Sequence, residues 1–261
     1  MDTFEDIKFD KYGPVARIEL NRPDAANGLN ARMAGELHRA AKLCDGDPEL
    51  KVVVLRASGR FFCAGGDLKE VLGQGDKAGN AIKAIADDLH AAISILSRMP
   101  ALLIVAVNGI AAGGGFGLAL IGDLVLAAQS ASFTMAYGRA GLSPDGSSSY
   151  FLPRLVGLRK AQELMLLNPT LSAEEAREAG MVTRVVADDK LWAEADAIAT
   201  DFANGARLST AHIKNLLLAS SANDLETQMD LEAELIKSCV SSRDGNEGIQ
   251  AFVEKRKPQF E

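Results

Sequence analysis

Two glycine runs hold most of the chemical potential of this 261-residue chain. They are Ala64-Gly65-Gly66-Asp67 and Gly113-Gly114-Gly115. Glycine lets the backbone approach a ligand with no Cβ in the way. Where such a run opens a helix, the first N–H groups have no intrahelical partner and lie at the positive end of the helix dipole. Two such amides aimed at one oxygen form an oxyanion hole. Either run alone also reads as a tight turn with a helix start. Neither run is GxGxxG, and no GxxxxGK[ST] occurs, so nucleotide-phosphate fingerprints are absent. Cys63, just before the first run, has no evident His/Asp arrangement around it and reads as a small buried hydrophobe. Asp67 reads first as a helix N-cap.

These runs need strands and helices to hold them. Val15–Leu20 alternates as a strand does, and Asn21-Arg22-Pro23-Asp24 breaks it. Helical spacing runs from about Ala31 to Leu43. Val52-Val53-Val54-Leu55 and Leu102–Val107 are unbroken apolar runs, as expected of strands buried on both faces. A helix from about Asn80 to Met99 separates them and stops at Pro100, and a third strand is expected at Leu124-Val125-Leu126. Strand, glycine turn and helix recur, with crossovers long enough for parallel pairing, so the class is α/β. Each glycine run falls where a buried strand gives way to a helix, the place where open α/β sheets bind ligands. From about Leu152 the pattern is mainly helical, and after about Ala206 wholly so. No repeat or low-complexity segment stands out in the sequence.

Composition narrows the classes. Hydrophobic residues make up 48% of the chain, enough for a large core, either one domain or a domain with a helical appendage. The formal charge of −7 argues against nucleic acid or an anionic membrane as partner, since both select clustered Lys and Arg. Cys44, Cys63 and Cys239 are scattered, with no CxxC, and the only histidines are His38, His90 and His212. A disulfide framework and a metal site are therefore not expected, and a reducing, cytoplasmic setting fits. The acidic start Met1–Asp6 does not read as a signal peptide. No apolar stretch approaches the roughly 20 residues of a membrane span.

Four stretches taken in order carry a resemblance. They are Ile18-Glu19-Leu20-Asn21-Arg22-Pro23, Phe61-Phe62-Cys63-Ala64-Gly65-Gly66-Asp67-Leu68, Asn108 through Gly117, and Leu142-Ser143-Pro144-Asp145-Gly146 through Leu152-Pro153-Arg154-Leu155-Val156-Gly157. Together they resemble the crotonase (enoyl-CoA hydratase/isomerase) superfamily, from about residue 5 to Lys255–Phe260. The resemblance implies a spiral of ββα units over residues 1–205, binding acyl-CoA. It implies a helical oligomerisation region over 206–261 and a homotrimer or dimer of trimers. Coenzyme A would enter as part of the thioester substrate, with no cofactor bound besides. The N–H groups of Gly66 and Gly114 would bind the thioester oxygen. Ala25, Ala64, Asp67, Gly113, Phe116, Gly117 and Lys257 would contact substrate, and Arg22 and Lys255 could meet coenzyme A phosphates.

Hydratases of the family carry two glutamates, one just after the GGG run and one about twenty residues on. This chain has Gly117 and Tyr137 there. Adding water to a double bond is naturally a two-carboxylate task, so ordinary hydration is not expected. Asp145 is the remaining carboxylate. Isomerase branches place an acid in this loop, where one base takes a proton from C2 and returns it at C4. The alternative is a Pro-Asp-Gly turn with Asp145 capping the next helix. Family dehalogenases acting on 4-halobenzoyl-CoA use an Asp here as nucleophile with a His on the preceding helix as base, and His90 lies on such a helix. Aromatics are only 5% of the chain, a thin supply for a benzoyl cage. His90 therefore also reads as a helix residue facing a polar neighbour. Tyr137 either donates a hydrogen bond in the pocket or packs. Asp123 reads as structural. A non-catalytic CoA or RNA binder is the reading from a different class, and the scattered Arg32, His38, Arg39 and Lys42 of the first helix do not favour RNA.

Overall fold

The computed structural model describes residues 3–261. Ile7–Tyr12 (β1) and Val15–Leu20 (β2) form an antiparallel hairpin, with Ala16, Ile18 and Leu20 of β2 turned inward. Asn30 caps Ala31–Asp45 (α1) by accepting the Met33 N–H at 2.8 Å, one of the donors a helix start leaves unpaired. The buried stripe Met33, Leu37, Ala40, Ala41 and Cys44 follows the helical period.

Three pairs of strands then repeat one plan. Val52–Ala57 (β3) turns after three residues into Phe61–Cys63 (β4), followed by Leu68–Leu72 (α2) and Ala78–Arg98 (α3). Leu102–Val107 (β5) turns into Ile110–Ala112 (β6), followed by Gly114–Leu120 (α4). Leu124–Ala128 (β7) turns into Ser132–Thr134 (β8), which leads through a 3-10 turn to Ser148–Val156 (α5) and Leu158–Leu167 (α6). The long strands lie in a six-stranded sheet and the short ones in a four-stranded sheet. The chain thus advances by ββα units through two sheets, a crotonase-like architecture. The repeat escapes the sequence because β4, β6 and β8 are three residues each, too short to show alternation.

The six-stranded sheet closes with Arg184–Val186 (β10), parallel to β7. The four-stranded sheet closes with Thr170–Ser172 (β9), antiparallel to β8. Between β9 and β10 lies Ala173–Glu178 (α7), and Leu191–Ala203 (α8) packs over β3, β5 and β7. Strand β1 corrects the sequence expectation, which had the chain begin at β2; after residue 152 the chain is mainly helical as expected, with β9 and β10 as short additions. All three are edge strands, and β9 and β10 are short, so their exposed residues blur the pattern. The expected buried strands lie where predicted. Every residue of β5 is buried, each Val, Leu or Ile contributing about 1.5–3 kcal/mol.

Arg207–Ala219 (α9), Leu225–Ser241 (α10) and Arg243–Glu254 (α11) complete the chain. Helix α9 is tied to the core by Lys214, whose buried ammonium donates to Leu96 O at 3.1 Å and Ala101 O at 3.2 Å and pairs with Asp123 at 2.8 Å. Asp123 also accepts the Leu103 N–H at 2.7 Å, so its structural reading is explained. Apolar side chains such as Leu217, Ile236 and Phe252 stand exposed on these last helices. No described helix is long and apolar enough to cross a membrane.

Candidate active site

The glycine runs meet because β4 and β6 are parallel neighbours, Phe61 opposite Ile110 and Cys63 opposite Ala111. Both strands end at the same level, so Gly65 and Gly113 emerge side by side. A Cβ built on Gly65 would lie 3.5 Å from Gly113 Cα and 3.6 Å from Gly114 N. Gly65 has φ +97° and Gly113 φ +53°, conformations that glycine alone adopts without strain.

Leu29 fixes the direction of the first amide. It donates to Gly65 O at 2.8 Å and accepts from Asp67 N–H at 2.8 Å, pairing with Gly66 as in a parallel ladder. Those bonds use the residues flanking Gly66 and leave the Gly66 N–H facing the opposite side. Gly114 is the first residue of α4, where no intrahelical acceptor is available. Among the described residues neither amide donates to a protein acceptor.

A cavity opens over these amides. Its walls are mostly aliphatic: Leu29, Leu68, Val71, Ile82, Ile85, Leu89 and Leu142, with Ala64, Gly113 and Tyr137. Among the described residues Asp145 is the only carboxylate that lines it. Gly146 and Ser147 follow Asp145 with φ +59° and +62°, turning the chain sharply into α5. The Asp145 carbonyl accepts from Ser148 N–H at 3.2 Å and from its hydroxyl at 2.8 Å. The turn of the capping alternative is present, but the Asp145 side chain does not cap α5: no side chain caps the helix start at Ser147. Instead Asp145 Oδ1 meets His90 Nε2 and the Gly146 N–H. Oδ2 has no partner among the described residues.

His90 stands half exposed on α3. Its expected polar neighbour is Asp145 itself, 55 residues away in sequence. The Tyr137 ring lines the cavity near Gly113 and Gly114, with its hydroxyl buried and unpaired. Burial, and next the nearby Asp145 charge, push that phenol well above its ordinary value, so it stays protonated.

Several residues expected to contact substrate do not line this cavity. Phe116 is 1% exposed and packs edge-on against Phe133 at 6.4 Å, so it belongs to the core. Gly117 faces the Gly146 backbone rather than the cavity. Ala25 is exposed on a 3-10 turn, its carbonyl accepting the Gly28 N–H at 2.9 Å. Asp67 caps α2 and binds Arg22 at 3.1 Å. Arg22 also donates to Gly28 O and approaches Asp6 at 3.6 Å, so it is a brace for the loop rather than a free cation for phosphate. Lys257 lies in a surface basin with Arg243, Asp244, Glu247 and Arg256, apart from the cavity. Cys63 is buried, its thiol pushed up to about 12 by burial, as an inert thiol would be.

Sequence reasoning missed Asn27. Fully buried at φ +52°, it accepts the Arg22 N–H and donates to Ser58 O and Phe61 O, each at 2.8 Å. Its signal was the Asn-Gly dipeptide at residues 27 and 28, a turn pair that tolerates positive φ. The aliphatic wall from α2 and α3 was also missed, since apolar residues on a helix read equally as core.

Fold and cavity place the chain among enzymes that act on acyl-CoA thioesters. The family described as enoyl-CoA hydratase/isomerase matches residues 10–261, and the chain belongs to that family. It is 38% identical over 250 residues to the 1,2-epoxyphenylacetyl-CoA isomerase of Escherichia coli, covering 94% of each chain. It is 31% identical to the trans-2-decenoyl-[acyl-carrier-protein] isomerase of Streptococcus mutans, covering 98% of each. The crystal structure of an enoyl-CoA hydratase from Polaromonas sp. JS666 superposes with a TM-score of 0.92 at 33% identity, over 98% of this chain and 99% of that one.

Proposed function

We propose that this enzyme shifts the double bond of an enoyl-CoA thioester, with Asp145 as a single proton shuttle. The observation that carries the reading is that, among the described residues, Asp145 is the one carboxylate lining the cavity. The thioester oxygen sits between the Gly66 and Gly114 amides. Asp145 Oδ2 takes a proton from C2, and the C–H electrons form a dienolate whose charge falls on the thioester oxygen. The same carboxyl returns the proton to C4, which moves the double bond from C3=C4 to C2=C3 and restores the carboxylate. Amides already aimed at the oxygen stabilise the dienolate more than the ground state, by about 3–4 kcal/mol per donor. The aliphatic wall suits an alkenyl chain. Coenzyme A enters only as part of the substrate, and no separate cofactor takes part. The names of the Escherichia coli and Streptococcus mutans relatives, both isomerases, agree with this reading.

Purified protein incubated with a trans-3-enoyl-CoA should produce the conjugated thioester absorbance. Asp145→Asn should lower kcat by about 10²–10⁴-fold, the range for loss of a general base. No signal from the wild type, or an undiminished rate in the variant, would refute the reading. Formation of 3-hydroxybutyryl-CoA from crotonyl-CoA would instead favour a hydratase using Asp145 alone. Binding of CoA esters without turnover would favour a non-catalytic binder.

The His90–Asp145 contact supports a second reading, an aroyl-CoA dehalogenase or hydrolase. There Asp145 attacks the ring carbon bearing the halogen, halide leaves, and His90 deprotonates the water that cleaves the ester. Among the described residues Tyr137 is the only aromatic side chain lining the cavity, which weighs against a ring substrate. Chloride release from 4-chlorobenzoyl-CoA decides it.

The same proposal takes residues 1–205 as the acyl-CoA-binding core and 206–261 as the oligomerisation region of a cytoplasmic homotrimer or dimer of trimers. The exposed apolar side chains of α9–α11 support it. Sedimentation equilibrium giving a monomer would refute the oligomeric part.

A further inference from the structure

Gly117 has no room for any side chain. A Cβ there would lie 2.2 Å from the Gly146 carbonyl oxygen and 3.0 Å from its carbonyl carbon. From the other side, a Cβ on Gly146 would lie 3.5 Å from both Gly114 Cα and Gly114 O, and 3.8 Å from Gly117 Cα. The Gly146 backbone therefore rests directly on the first turn of α4, between the residue that presents the Gly114 amide and the one a turn later. Asp145 is the adjoining residue. Its reach toward that amide is set by backbone against backbone, with no flexible side chain in between. Packed interiors transmit such displacements rather than absorbing them.

We propose that this Gly117–Gly146 interlock positions Asp145 and selects the reaction. This rests on the isomerase reading of the same cavity. Contact at position 117 sets where the shuttling carboxylate stands relative to the carbon next to the bound thioester. The Gly146 carbonyl also fills the space that a second carboxylate at position 117 would need. With one base and no partner base to hold and activate water, the dienolate is reprotonated rather than hydrated. Gly117 is thus a positioning residue, and its loss of side chain and the presence of Asp145 form a single arrangement.

The test compares Gly117→Ala, Gly146→Ala and a control, Gly79→Ala, whose new Cβ meets nothing within 4 Å. Gly117→Ala must push the 145–147 backbone back by about 1 Å, which costs on the order of 10²-fold in rate at a well-oriented site. The expected result is a kcat fall of about 10²-fold on a trans-3-enoyl-CoA with KM within about 3-fold. A crystal structure should show Asp145 displaced. Gly146→Ala meets ordinary contact distances but strains the backbone at φ +59°, so it should also move Asp145 and lower kcat, while Gly79→Ala should match wild type. Gly117→Glu should yield no 3-hydroxybutyryl-CoA from crotonyl-CoA. Unchanged kcat in Gly117→Ala, an unmoved Asp145, or hydration by Gly117→Glu would overturn the proposal. If Gly117→Ala does not fold, Gly146→Ala decides it: a fall in kcat accompanying a displaced Asp145 supports the proposal, and an unchanged kcat overturns it. Wild-type inactivity on 3-enoyl-CoA would sink the isomerase reading alone, while the crystallographic displacement would still test the interlock.

Discussion

Replacing Lys214 with Met tests how the C-terminal helices are held to the core. The substitution keeps the apolar stem but removes a charge and three bonds, to Leu96 O, Ala101 O and Asp123. The Lys214 side chain is 5% exposed and that of Asp123 23%, so water replaces little of what is lost. Breaking a buried pair from one side costs about 3–5 kcal/mol, because the remaining charge stays buried without compensation. For a chain of this size that corresponds to a fall of roughly 6–20 °C in Tm. Burial raises the Asp123 carboxyl and Lys214 opposes that rise; without Lys214 the rise is unopposed. A folded-state pKa above the unfolded one means that protonation favours the folded state. The deficit should therefore be greatest near neutral pH and shrink as pH falls toward the ordinary carboxylate value of 3.8. Asp123→Asn added to Lys214→Met keeps an acceptor for the Leu103 N–H and removes the stranded charge, so part of the loss should return. Thermal unfolding at fixed protein concentration, across pH 4.5–8, measures all of this. A Tm within about 2 °C of wild type, or a double variant no more stable than the single, would refute the account.

Replacing His90 with Gln keeps an N–H for Asp145 but cannot carry a proton. Isomerisation should stay within about 10-fold of wild type, whereas a hydrolysis needing His90 as base should fall by about 10²–10⁴-fold. Asn27→Ala strips three hydrogen bonds from a buried turn, and urea titration should report a loss of about 2–3 kcal/mol. Burial pushes the Cys44 and Cys63 thiols up to about 12. Iodoacetamide at pH 8 should therefore leave both unlabelled in the native protein and label both after denaturation, as read by mass spectrometry.

The family, the buried strands β3 and β5, and the two glycine loops were legible in the sequence because each depends on neighbouring residues. An unbroken apolar run and a glycine at a strand–helix junction carry their meaning within ten positions. Absence was legible too: Gly117 and Tyr137 stand where the resemblance leads one to expect a hydratase's carboxylates. Long-range packing decided the rest. Nothing in Phe116 distinguishes a pocket side chain from a core one until Phe133 is seen beside it. Arg22 looks like a free cation until Asp67, distant in sequence, binds it. His90 and Asp145 are individually ambiguous, and only the packing of α3 against the loop before α5 joins them. The sequence by itself thus determined which groups are available for chemistry. The tertiary structure determined which of them meet, since parallel pairing of β4 with β6 brings the two glycine loops together and the fold carries His90 to Asp145.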